Sequence, residues 1–142
     1  MVDTDAFSEA QILAMTIDGE AANQSLFAQR GVAATVMRRV ALRWQGETTV
    51  RGVCLHPEQY DCWTPGDDRR RIIVNAGWGF LALALDAIQG FMPDPTGGAT
   101  HYYDKSISPP YWTQGRNPTA SIDSLVFYDL SRPLAKTVPA KQ

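Results

Sequence analysis

Apolar residues return at helical spacing along the first two thirds of this chain, then give way to short β-prone runs near its end. Ser8-Glu9-Ala10-Gln11 has the form of a capping box and opens a helix reaching about Glu20. Leu13, Ile17 and Glu20 fall on one stripe at i, i+4 and i+7, which places Glu20 on the face to be buried. Asn23 or Ser25 can cap a second helix running to about Trp44, with Ala33, Val36, Met37, Val40 and Trp44 facing inward. Arg30, Arg38, Arg39 and Arg43 fall largely on its other faces, and Gly46 is a plausible stop. Thr49 to Trp63 reads as a short helix followed by an irregular loop, broken at Pro57.

Pro65-Gly66-Asp67-Asp68 is a turn cluster, after which a long helix spans about Arg69 to Gln89. Ile72, Ile73, Val74, Phe80, Leu81, Leu83, Leu85 and Ile88 make it apolar almost all round, the signature of a central core helix, and Gly90 sits where a C-terminal cap belongs. Pro93, Pro95, Gly97 and Gly98 preclude helix beyond it. Thr100 to Tyr103 and Leu125 to Tyr128 are β-prone and can pair. The tail from about residue 132 is polar, carries two prolines and is expected to be loose. The expected fold is mainly α with a small β element, as one domain over residues 1–142.

Composition changes this picture little. Apolar residues at 44% and charged residues at 20% are ordinary for a globular domain. A net charge of −2 gives no basic face for nucleic acid. The most apolar stretch, Ile72 to Phe91, carries Asn75, Asp86 and Gln89 and is not expected to span a membrane. The start, Met1-Val2-Asp3-Thr4-Asp5, is acidic and lacks the basic region of a signal peptide, so synthesis in the cytoplasm without export is expected. Cys54 and Cys62 are too few for a disulfide framework; an oxidising compartment would allow a single bridge between them, and in a reducing one they read as small core or groove residues.

Among candidate chemical groups, Glu20 stands out. Burial disfavours its charged form, and so does the negative end of the helix dipole, so it is a candidate general acid. The alternative is a solvated glutamate at a frayed helix end. A second carboxylate, as paired-carboxylate glycosidases need, would have to come from Glu47, Glu58, Asp61 or Asp94, and no spacing singles one out. Cys54, His56, Cys62 and His101 lack zinc-ligand spacing, so no metal is expected. Trp63 and Trp112 lie in loops and can either pack at the core edge or stack on a ligand. Thr96-Gly97-Gly98-Ala99 can turn tightly through positive φ.

Several segments together resemble a known family. They are Gly19-Glu20-Ala21, Val36-Met37-Arg38-Arg39-Val40, Gly52-Val53-Cys54, Pro57-Glu58-Gln59-Tyr60, Cys62-Trp63, Asp94-Pro95-Thr96-Gly97-Gly98-Ala99, Tyr102-Tyr103, Trp112 and Phe127-Tyr128. The chain resembles, over about residues 12 to 129, the cell wall hydrolases typified by the spore-cortex-lytic enzymes, which also occur among bacteriophage and prophage lysins. The resemblance implies a lysozyme-like α+β fold. It also implies cleavage of the β-1,4 bond between N-acetylmuramic acid and N-acetylglucosamine in peptidoglycan.

Family members of this type are lytic transglycosylases that use one glutamate as acid and then as base, and that glutamate falls on Glu20. Tyr102, Tyr103, Trp112 and Gln24 would line the glycan groove. Thr100 and His101 flank them, although strand alternation lets only every second side chain face one way. No cofactor is implied, peptidoglycan strands are the expected partner, and in the lysin setting a holin would release the enzyme to the wall. The chain departs from the family pattern at Gln24, where a second acid is usual, and at Leu125, where a histidine is usual. The family motif Ile-Gly-x-His-x-Phe reads Ile122-Asp123-Ser124-Leu125-Val126-Phe127 here. These departures keep in view a peptidoglycan-binding or virion structural protein without activity; a water-using lysozyme acting on the same bond is the alternative of the same chemistry.

Overall fold

The computed structural model of the chain describes residues 4–64 and 78–134. Its helices are α1 (Glu9–Ala21), α2 (Leu26–Leu42), α3 (Val50–Leu55) and α4 (Trp78–Gln89), and its strands are β1 (His101–Asp104), β2 (Ala120–Ile122) and β3 (Leu125–Tyr128). The Pro65–Asp68 turn, the Arg69–Gly77 part of the expected long helix and the tail from residue 135 lie outside the described residues. The expectation of a mainly helical body with a small sheet is met. Among the described residues no helix is long and apolar enough to cross a membrane.

The capping box at α1 is formed in both directions. Ser8 Oγ accepts from the Gln11 amide at 3.1 Å, and Gln11 Oε1 accepts from the Ser8 amide at 2.7 Å. Six consecutive residues of α1, Ile12 to Ile17, are buried, so this helix is enclosed on every side. It takes the central place that the sequence pattern assigns to the long helix before Gln89. That helix, α4 in its described part, buries Leu83, Ala84 and Ala87 and leaves Leu85 42% exposed. One polar residue in α1 hides its role. Thr16 is fully buried, donates to the Ile12 carbonyl at 2.7 Å and accepts from Trp63 Nε1 at 2.8 Å. A satisfied hydroxyl carries little penalty inside a core. The same contact settles Trp63 as a packing residue.

Helix α2 is capped by Ser25, whose hydroxyl accepts from the Ala28 amide at 3.2 Å. It ends at Leu42, short of Trp44, because Arg43 turns left-handed at φ 53°. Trp44–Gly46 then forms a separate 3₁₀ turn. At its middle, Gly31 faces the ring of Phe127 so closely that a Cβ there would lie 2.5 Å from Phe127 Cζ. Glycine lets the sheet reach the helix. Overpacking a site like this costs about 1–3 kcal/mol, while the gain in helix propensity from Gly to Ala is at most about 1 kcal/mol. Gly31→Ala is therefore expected to lower stability by about 1–2 kcal/mol net in urea unfolding; an unchanged midpoint would mean that Phe127, fully buried, can move.

The sheet is antiparallel in the order β1-β3-β2. His101 pairs with Tyr128, Tyr102 with Phe127, Tyr103 with Val126 and Asp104 with Leu125. All four residues of β3 are buried, so the central strand is covered on both faces. Tyr102 shares the inner face with Phe127, their ring centroids 5.6 Å apart. His101, Tyr103 and Tyr128 point the other way, as strand alternation requires. Strand β2 was not anticipated, since three residues of mixed polarity behind Pro118 give no period to read.

The loop before β1 is wound around Asp94. Its carboxylate accepts from the Thr96 amide at 2.7 Å, the Thr96 hydroxyl at 2.6 Å and the Gly98 amide at 2.9 Å. Gly97 and Gly98 supply the positive φ values, 73° and 87°, that this winding needs.

Candidate active site

Glu20 lies in the last turn of α1 and is half-buried. Tyr102 on β1 donates its hydroxyl to Glu20 Oε1 at 2.7 Å, and Oε2 is shielded from solvent. Helix and strand thus meet at the residue singled out from sequence. Burial, followed by the charge of Glu20, pushes the Tyr102 hydroxyl well above its ordinary pKa of 10.0, so it remains a donor throughout the physiological range.

Two neighbouring side chains stay neutral. Tyr60 is 3% exposed, and burial pushes its hydroxyl up as well. Cys54 is fully buried, and its thiol is pushed up to about 12, chiefly by burial. A thiol in that state is no nucleophile. Cys54 and Cys62 are both buried and unbridged.

Behind this group lies Arg39, which is 6% exposed. Its Nε donates to the Thr100 carbonyl at 2.6 Å and its Nη1 to Gln59 Oε1 at 2.9 Å, and its guanidinium carbon sits 5.4 Å from the Tyr60 ring centroid. This corrects the expectation that Arg39 lies on an outer face of α2. Val32, Val36 and Arg39 follow i, i+4, i+7, so the period itself turns Arg39 inward with two fully buried valines.

The proposed groove residues divide. Tyr102 is at Glu20. Gln24 lies on the turn that follows, half-buried, with its amide donating to the Ala21 carbonyl at 3.0 Å. Thr100 lines no surface: it is fully buried, and its hydroxyl contacts His101 Nδ1 at 2.8 Å and accepts from the Leu130 amide at 2.9 Å. Its backbone and side chain fix the start of β1.

Tyr103 and Trp112 sit across the sheet from Glu20. Trp112 packs against His101, Tyr128 and Tyr103 at centroid distances of 5.3, 5.5 and 6.2 Å, and Trp44 closes on His101 at 5.1 Å. These rings cover the outer face of β3, the core-edge role open to Trp112 from the start.

His101, held between two tryptophans, has its pKa lowered from 6.5 to about 3, first by burial and then by the charges of Arg39 and Arg116. It is neutral near pH 7 and takes no part in proton transfer there. A histidine kept neutral in the fold binds its proton more readily when unfolded. Its contribution to stability is therefore complete above pH 6.5 and is lost as pH falls from 6.5 towards 3. His101→Gln is expected to flatten the decline of stability between pH 6.5 and 4, read as urea midpoints. The carboxyls of Asp104, Asp123 and Asp129, held below their ordinary 3.8, contribute their own loss below that range. An unchanged slope in His101→Gln would refute the assignment.

The four carboxylates weighed above as a second acid are occupied or exposed. Glu47 Oε2 meets His56 Nδ1 at 2.6 Å, Asp94 holds its own loop, and Glu58 and Asp61 are exposed. No three His, Cys, Asp or Glu side chains among the described residues converge in a metal-binding group.

A sequence model of cell wall hydrolases matches residues 23–128. This chain belongs to the cell wall hydrolase family. The matched span begins just after Glu20. The chain is 27% identical over 120 residues to a spore cortex-lytic enzyme of Bacillus cereus; the alignment covers 84% of this chain and 44% of that protein, so the chain spans less than half the length of this relative.

Its fold is similar to two solved structures, each at 24% sequence identity. One is the catalytic domain of the Bacillus cereus SleB protein, at a TM-score of 0.67 with 85% of this chain and 89% of that one covered. The other is the catalytic domain of the germination-specific lytic transglycosylase SleB from Bacillus anthracis, at 0.71 with 91% and 100% covered. The helical body with its three-stranded sheet is a lysozyme-like fold.

Proposed function

We propose that this chain is a peptidoglycan lytic transglycosylase that cleaves the bond between N-acetylmuramic acid and N-acetylglucosamine, in the endolysin role implied by the sequence resemblance. The observation that carries the reading is the Glu20–Tyr102 contact. It places a single half-buried carboxyl, oriented by a hydroxyl that cannot ionise near neutral pH, where helix and sheet meet. Membership of the cell wall hydrolase family supports the substrate. The lytic transglycosylase activity of the Bacillus anthracis neighbour supports the reaction type.

In the reaction Glu20 begins protonated. It gives its proton to the glycosidic oxygen as the C1–O bond of the muramic sugar breaks, and the glucosamine end leaves as an alcohol. The Tyr102 hydroxyl then donates to a carboxylate, a stronger bond than to the neutral acid, so it stabilises Glu20 between the two steps. The C6 hydroxyl of the muramic residue attacks C1, and Glu20 takes its proton. A 1,6-anhydro ring closes, no water is consumed, and Glu20 is again an acid. One carboxyl suffices, in keeping with the occupied or exposed state of Glu47, Glu58, Asp61 and Asp94.

The test is digestion of purified sacculi followed by mass spectrometry of the released ends. Anhydromuramic ends are expected from the wild type and none from Glu20→Gln. Ordinary reducing ends would make the protein a water-using lysozyme. Binding to sacculi without either product would make it a wall-binding protein.

A further inference from the structure

Asp123 holds a left-handed backbone conformation. It sits in the turn between β2 and β3 at φ 52°, in the left-handed region where a side chain is disfavoured. Its side chain reaches away from its own hairpin: Oδ2 accepts from the amide of Ser25, the cap of α2, at 2.8 Å. Ser25 closes the turn that leads out of α1 immediately after Glu20.

From the other side, Gln29 on α2 reaches back into that turn. Its Nε2 donates to the carbonyls of Ala21 and Gln24, both at 3.2 Å. The Ala21 carbonyl also takes the Gln24 amide at 3.0 Å, so Gln29 adds a second bond at the end of α1 and a further one in the turn.

The hairpin end of the clasp is itself fixed to β1. Ser124 Oγ donates to Asp104 Oδ2 at 3.0 Å, and the Lys105 amide donates to the Ser124 carbonyl at 2.8 Å. Asp104 lies on the same strand as Tyr102, whose hydroxyl holds Glu20. The sheet therefore grips the Glu20 segment at two separated places, Tyr102 on β1 and Asp123 on the hairpin turn. One contact fixes a distance. Two fix the rotation of the segment as well.

We propose that Asp123 and Gln29 are positioning residues for Glu20: a clasp from the hairpin to the cap of α2, and a brace from α2 to the end of α1, which together set the angle of the carboxyl against the sheet. The inference rests on Glu20 being the acid, and it adds which residues aim it. Neither residue touches the reacting atoms. Their effect arises because chemistry is sensitive to displacements that leave the fold intact.

The variants are Asp123→Gly, Asp123→Asn and Gln29→Met. Glycine is at ease at this φ, so Asp123→Gly removes the clasp while relieving the backbone. Asparagine tolerates the same φ and keeps an acceptor oxygen. Two readouts are needed: kcat and KM on solubilised glycan strands, and amide hydrogen exchange over residues 21–25.

In Asp123→Gly and Gln29→Met, kcat is expected to fall about tenfold with KM unchanged, and exchange in the turn to quicken about tenfold. Asp123→Asn is expected to stay near wild type in both. Wild-type kcat and exchange in Asp123→Gly would overturn the clasp. So would a rise in KM alone, which would mark a substrate contact, or failure of asparagine to rescue. If the wild type and Glu20→Gln were equally inactive, the transglycosylase reading would fall and exchange alone would judge the clasp: quickened in the glycine variant and restored by asparagine upholds it, unchanged overturns it.

Discussion

Replacing Glu20 by glutamine is expected to abolish the release of anhydromuramic ends while leaving the protein folded and bound to its wall. The glutamine amide has the shape of the carboxyl, and its oxygen can still accept from the Tyr102 hydroxyl, so the junction between α1 and β1 keeps its contact. It lacks an acidic proton. General acid catalysis contributes about 10²- to 10⁴-fold, equivalent to about 3–5 kcal/mol of barrier. In the proposed reaction the same group serves both steps, so the fall in kcat is expected at the upper end of that range. KM should stay put, because the substrate contacts shared by ground and transition states are untouched. Turbidity clearing of sacculi, with thermal unfolding of both proteins as control, checks it. Equal clearing by both would remove Glu20 from the chemistry. Weak clearing by a variant that has also lost stability would show that the carboxyl carries the fold.

The sequence exposes one partner of the Glu20–Tyr102 pair more clearly than the other. The stripe Leu13, Ile17, Glu20 follows from helical period alone, and the cap at Ser8 fixes where that helix begins. Which tyrosine of Tyr102-Tyr103 would meet Glu20 depends on strand register, and register depends on Phe127 seating against Gly31 some distance away in sequence. Alternation shows that the two tyrosines face opposite ways without saying which faces in. The resemblance groups Trp112 and Tyr103 with Glu20, while their ring contacts are with His101, Tyr128 and each other. The two helices most open to confusion were α1 and α4. Apolar content favoured the second, while a single internally bonded threonine masked the first. The clasp at Asp123 is a long-range contact through a polar side chain in a turn, for which periodicity gives no sign.

Arg39 is hidden for a related reason: a charge on a buried stripe reads as an outward face. Its removal is expected to have the largest effect on stability of any single substitution here. The guanidinium satisfies the Thr100 carbonyl and the Gln59 amide oxygen and packs over the Tyr60 ring. Leaving a buried acceptor without its donor costs about 1–3 kcal/mol each. Two effects work against that loss: a buried charge is expensive to keep, and an apolar residue of similar size can repack the space. Arg39→Met should therefore cost about 2 kcal/mol, the net of lost bonds and relieved desolvation. Arg39→Ala adds a cavity and should cost about 4 kcal/mol, a drop in Tm of about 15 °C for a chain of this size.

Arg39→Lys keeps the charge but cannot serve the Thr100 carbonyl and Gln59 with one planar fork, so it falls between methionine and wild type. A second readout identifies the charge itself. Arg39 is one of the groups holding His101 down, so in Arg39→Met the histidine should titrate at higher pH, and the acid loss of stability should begin at the same pH but saturate earlier. Arg39→Lys should preserve the wild-type titration. Proton NMR of the His101 ring together with urea midpoints at several pH values would check both. Wild-type stability in Arg39→Met would mean that the inward bonds of this residue contribute nothing to holding β1, and with it Tyr102, in place.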